Sequence, residues 1–217
     1  MNLDINTIFI IIQIGIVPAI LSLYKIITKE HIFRLFYYYN ITCYLTEIIS
    51  NRLLKIKLYN ISNIIVNIFL IIEAIILIRL ILQLSERLSK FKVISIFILS
   101  IWIIENFWIH NIFDSEKYFN VISAITIFSI IIYVLPIHLN KNYSTFLNEP
   151  NILILLGVLF NIIFRVVFEF IYYNYENNIE LMKSINLINI VINVITSVIF
   201  IYCLLCIKNK KKLISSF

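Results

Sequence analysis

The chain has 217 residues, of which 61% are hydrophobic and 14% charged, with a mean hydropathy of +0.97. A soluble domain is nearer about half apolar and about a quarter charged, so the composition excludes one and indicates a polytopic membrane protein. The net charge of +6 lies between the apolar runs and in the tail, in a chain without a nucleic-acid motif; it reads as membrane orientation, with no nucleic acid as partner.

The first predicted span is 5–27. Asp4 stands where a signal peptide would be basic, and the run exceeds the roughly 7–15 apolar residues of a signal sequence. It is read as a spanning helix with a kink at Pro18. The second span, 31–50, reads HIFRLFYYYNITCYLTEIIS. It has the lowest hydropathy of the series but is too apolar and aromatic for a loop. Asn40, Tyr44, Glu47 and Asn51 form a stripe along it.

The third span, 61–83, carries Glu73 almost at its centre. Asn63 and Asn67 share a face nearer one end, and Glu73 lies roughly 80–120° round the helix from them. One narrow pocket is therefore not expected to hold all three. The fourth span, 91–111, offers Glu105 and Asn106 flanked by Trp102 and Trp108. The fifth, 119–139, contains Pro136.

The sixth span, 151–173, places an arginine and a glutamate inside GVLFNIIFRVVFEFIYY. Gly157, Asn161, Arg165 and Glu169 are four residues apart and drift only ~40° per step, so they share one stripe, with Phe168 and Tyr172 on the same side. A charge at the bilayer centre costs about 2.5–3.5 kcal/mol. Arg before Glu at this spacing is the less favourable order, so Arg165 is expected to find an acid on another helix. Gly157 is expected to admit a neighbouring helix closely. The seventh span, 185–207, carries Asn186, Asn189, Asn193 and Ser197 at helical spacing.

Loop charge sets the expected orientation. With the N-terminus outside, the cytoplasmic set is Lys25, Lys29, Arg34, Arg79, Arg87, Lys90, Lys92, Lys141, Lys208, Lys210, Lys211 and Lys212, against Arg52, Lys55, Lys57, Lys117 and Lys183 outside. That excess follows the positive-inside rule. Asp114, Glu116, Glu176 and Glu180 then fall outside, and the lysine tail lies at the cytoplasmic surface. Every connection is short, so residues 1–217 form one transmembrane domain whose work is done in the bundle, at its rims or through a partner.

In this orientation Glu47, Glu105, Glu169, Asn189 and Asn193 share the outer half, while the inner half is mostly Ile, Leu, Val, Phe and Tyr. The expectation is a polar cavity open to the outside, with Arg165 and Glu73 near its floor. The ligand-binding set is Arg165, Glu169, Glu73, Glu105, Glu47, Asn161, Asn189 and Asn193. The alternative is simple helix glue, worth about 0.6 kcal/mol per hydrogen bond, and for Glu47 and Glu105 solvation at a helix end.

Catalytic chemistries fit poorly, and the expectation is a non-enzyme with no cofactor and no metal. His31, His110 and His138 sit at helix ends and on different sides, so they do not assemble a zinc site or a serine–histidine dyad. Cys43, Cys203 and Cys206 all lie in apolar segments, so no disulfide framework is indicated, and the Cys203-Leu-Leu-Cys206 pair, without a nearby His or acid, reads as packing residues. Span seven has no central lysine for retinal, and Gly15 and Gly157 are the only glycines, too few for a phosphate loop.

Three resemblances follow from these residues. The seven-span layout, N-out and C-in, is similar to that of G-protein-coupled receptors, but lacks an acidic–Arg–aromatic triplet ending span three and an Asn-Pro-x-x-Tyr. The layout also resembles SWEET and PQ-loop carriers, three spans on either side of a linker span, with Pro18 and Pro136 in matching helices. Their dipeptides are Pro18-Ala19 and Pro136-Ile137 rather than Pro-Gln. YYYNITCYLTE, NIFLIIEAIILI with its central glutamate, and Pro150 at the start of span six resemble small seven-span proteins of Bacteroidota. That resemblance implies a multi-pass protein of the bacterial inner membrane and implies no activity.

Two functional expectations result. One is a receptor-like or sensory module in the lipid bilayer that binds a small-molecule ligand and acts through a separate cytoplasmic signalling partner. The other is a small carrier with Glu73 as a proton site. A structural subunit of a membrane complex is the plainest alternative.

Overall fold

The computed structural model describes residues 5–27, 33–85, 88–109, 111–113, 118–141, 149–175 and 179–214. His31, His110, Asp4, Lys29, Arg87, Asp114, Glu116, Lys117 and Glu176 lie outside the described residues, as do the side chains of Tyr172, Asn186, Lys141, Lys183, Lys208, Lys210, Lys211 and Lys212. The described chain is all helical: α1 (Ile5–Ile27), α2 (Arg34–Lys55), α3 (Tyr59–Leu84), α4 (Phe91–Ile104, continued as a π turn over Glu105–Ile109), α5 (Tyr118–Lys141), α6 (Pro150–Tyr175) and α7 (Ile179–Ile214). Each coincides with an expected span. The seventh outruns its expected bounds at both ends, and the second at its C-terminal end.

Five helices are long and apolar enough to cross a membrane: α3, α4 with its π turn, α5, α6 and α7. The apolar all-helical bundle is compatible with an integral membrane protein. Large apolar side chains cover its periphery; Val93 and Trp108 on α4 are 72% and 83% exposed. An apolar surface of that extent belongs against lipid. Hydroxyls on this surface are satisfied within their own helices, Ser100 bonding to the Ile96 carbonyl and Ser129 to the Ile125 carbonyl, both at 2.8 Å.

Local chemistry fixes the helix ends. Pro150 occupies the first turn of α6, where its missing N–H costs nothing. At the end of α2 the Leu58 amide reaches back to the Leu53 carbonyl and the Lys57 amide to Leu54, with Lys57 at φ 61°. This is a Schellman-type stop, with a lysine where glycine would be less strained.

Packing neighbours define the bundle. α1 packs on α2, α2 on α3, α3 on α5, α5 on α6, α6 on α7, and α7 back on α1. The six close a ring; α4 stands outside it, packed mainly on α3. At the α6–α7 seam a Cβ on Gly157 would lie 2.5 Å from the Phe200 ring. Gly157 thus permits the close approach expected of it.

The bundle has two unlike halves. The lower half, towards the α7 C-terminus, is a dry core. It is built from Leu77, Ile78 and Ile81 of α3, Ile127 and Ile131 of α5, Ile154 and Leu155 of α6, and Cys203 and Leu204 of α7. Both Cys203 and Cys206 are buried and free, and Cys203 Sγ contacts the Pro150 carbonyl. The upper half, towards the α2–α3 turn, holds the expected site residues, while Ser22, Lys25, His138 and Glu149 are buried towards the lower end.

Candidate functional site

Two cavities occupy the middle and upper bundle. Cavity A, about 330 Å³, lies among α1, α2, α3, α6 and α7. Cavity B, about 280 Å³, lies among α3, α5, α6 and α7. They share Leu70, Asn161, Arg165 and Asn193, so the guanidinium stands on the wall between them.

Arg165 resolves its cost across the bundle. Its Nη2 lies 2.7 Å from Oε1 of Glu73 on α3. The acid is on another helix, as the unfavourable Arg–Glu order within α6 demands. Glu73 is 2% exposed and Arg165 22%. Tyr39 of α2 adds a 3.4 Å hydroxyl contact to the same carboxylate oxygen. A buried carboxylate is tolerable only when paired and hydrogen-bonded. Phe200 closes the floor beneath, edge-on to Phe36 and Tyr39 at centroid distances of 5.1 and 6.1 Å.

Cavity A takes Glu47, Asn40, Cys43 and Tyr44 from α2, Glu73 from α3, and Asn193, Thr196 and Ser197 from α7. Cavity B takes Glu169, Asn189 and Asn120. Glu169 Oε1 accepts from the Asn120 amide, a short contact that ties α6 to α5. Seven of the eight expected ligand-binding residues therefore line one cavity or the other: Arg165, Asn161 and Asn193 both, Glu47 and Glu73 cavity A, Glu169 and Asn189 cavity B.

Glu105 is placed elsewhere. It is 1% exposed and lines neither cavity. The π turn carries its carboxylate beneath the start of α5, where it accepts from the backbone amides of Tyr118, at 2.9 Å, and Phe119. Those amides have no partner inside their helix, and an anion is favoured at a helix N-terminus. Its role is a cap. Asn63 and Asn67 are likewise structural: they bond to the carbonyls of Phe113 and Ile112 at 2.8 and 3.0 Å, while Trp102 Nε1 donates to the Asn67 carbonyl. Together they fasten α4 and the segment after it to α3.

Tyr39, Cys43, Thr196, Asn120 and Phe200 were not among the expected site residues. Tyr39, Cys43 and Glu47 stand four residues apart, a stripe adjoining the one through Asn40 and Tyr44. Thr196 is three residues past Asn193 on the same side of α7. Asn120 and Phe200 carry no comparable signal, because an asparagine at a helix start and a phenylalanine in an apolar run are commonplace. Pro18 lines cavity A, whereas Pro136 is on the exposed periphery, so the two prolines differ in environment. His138 bonds to the Leu84 carbonyl at 3.1 Å, joining the lower ends of α5 and α3. Among the described residues no group of three or more His, Cys, Asp or Glu could hold a metal ion.

No family model, curated protein or solved structure matches this chain.

Proposed function

We propose that the chain is a seven-span bacterial inner-membrane protein, N-terminus outside, that binds a small ligand in the upper cavities without catalysing its conversion. It passes the resulting helix shift to a separate cytoplasmic partner. The observation that carries this reading is the contrast along the bundle axis. The cavities and the expected ligand-binding side chains other than Glu105 lie at or above the Glu73–Arg165 pair, and a largely apolar core lies below it. Maintaining intramembrane charge is expensive, and its placement on cavity walls favours a binding role over glue. A blind cavity suits sensing better than conduction.

The native cysteines provide the test. In intact cells a charged, membrane-impermeant thiol reagent modifies Cys43 and a Ser197→Cys variant but leaves Cys203 and Cys206 untouched. In inverted vesicles it reaches none of them until the membrane is permeabilised. Protection of Cys43 and residue 197 from both sides would overturn the reading.

The ring itself favours a second reading, a carrier. The helices α1–α2–α3 and α5–α6–α7 keep the same neighbour order, each third helix packs on the first helix of the other half, and α4 lies outside as a linker. Two parallel halves around a central site are the layout expected of rocking transport. Uptake of solute into proteoliposomes would decide for this reading; binding without uptake decides for the first.

A further inference from the structure

Cavity A is rich in acceptors and poor in available positive charge. Arg165 is the one cationic side chain on its described wall, and its guanidinium is engaged by Glu73 at 2.7 Å. Glu47, the second carboxylate on that wall, has no side-chain partner among the described residues. Glu73 Oε2 and Thr196 Oγ1, on residues of the same wall, also lack a hydrogen bond, but they turn almost no surface to the cavity. A carboxylate oxygen only accepts, and a hydroxyl can accept. The capacity left open to a ligand is the Glu47 carboxylate, which takes N–H donors. Around it stand Tyr39, Tyr44, Phe69 and Phe200, aromatic surface whose faces attract cations.

We infer that cavity A takes a small organic cation, an ammonium head on an apolar body, with Glu47 as its counter-ion. The inference rests on the cavity being a binding site, as proposed above. An anion would meet a guanidinium already neutralised and an unscreened carboxylate. A volume of about 330 Å³ is at the small end of ligand sites, suited to a compact amine. Within walls of low dielectric the Glu47 charge acts more strongly than in water.

Cys43, on the same wall one turn from Glu47, reports the field. The purified full chain in lipid nanodiscs is treated with two methanethiosulfonates, one bearing trimethylammonium and the other sulfonate. Rates are normalised to those with free 2-mercaptoethanol, and the modified residue is located by peptide mass spectrometry. The cationic reagent is expected to react with Cys43 faster by ~10-fold or more. Glu47→Gln removes most of that preference and Glu47→Asp keeps it. Butylammonium slows the modification and butyrate does not. Equal rates for the two reagents, or a faster anion, would overturn the cation while leaving an open binding cavity in place. No reaction at Cys43 with either reagent would overturn the open cavity, and the proposed function with it.

Discussion

The same helices, α3, α5, α6 and α7, run through both halves of the bundle, and the halves obey different rules. Below Glu73, α6 presents Ile152, Ile154, Leu155 and Val158, and α7 presents Cys203, Leu204 and Ile207, all buried. Above it, the same helices present Asn161, Arg165 and Glu169, and Asn189, Asn193 and Thr196. The centre of the lower half is filled by apolar side chains, and its buried polar residues, Ser22, Lys25, His138 and Glu149, lie towards its end. The upper half is incompletely filled, and its polar groups line the space that remains. The Arg165–Glu73 ion pair, 2.7 Å long, lies at the border between them. The helix walls are continuous; only the side chains decide which half is dry.

Mutations that break the border should have the largest effect. Glu73→Leu leaves the Arg165 guanidinium without its partner and should cost about 3–5 kcal/mol in thermal or denaturant unfolding of the solubilised protein. Adding Arg165→Leu should restore most of that loss. A double variant as unstable as the single one would mean that the pair is not the principal coupling. Next in size is the dry half. Leu155→Ala removes a fully buried side chain and should cost about 2–5 kcal/mol. Ser197→Ala on the cavity wall should stay within about 0.5 kcal/mol. Equal costs at the two sites would erase the distinction between the halves.

The α6–α7 seam tests how rigidly the halves are joined. Gly157→Ala pushes a methyl against the Phe200 ring, which is itself held edge-on by Phe36 and Tyr39. The expected loss is about 1–3 kcal/mol, and Gly157→Leu should exceed it. The smallest effect sharpens the site's boundary. Glu105→Gln weakens an anion at the α5 N-terminus, typically worth about 0.3–1 kcal/mol and up to ~2 when buried. Stability should fall by that order while the rate of Cys43 modification stays unchanged. A changed Cys43 rate would place Glu105 in the site after all.

Hydropathy and periodicity alone determined the seven helices, the inward stripe of α6 and the need of Arg165 for a distant acid. These follow from one-dimensional facts: run length against bilayer thickness, and side-chain spacing against the helical turn. Periodicity names a face but not what the face meets. Glu47 and Glu105 therefore look alike in sequence, both acids near helix ends. Only the tertiary structure sets one on a cavity wall and turns the other into a cap, because the π turn and the approach of α5 bring two unpaired amides to Glu105. The pairing of Glu73 with Arg165, 92 residues apart, and the exclusion of α4 from the ring have the same cause. Both depend on which helices become neighbours, and that is settled by packing complementarity such as Gly157 against Phe200, which no single helix contains.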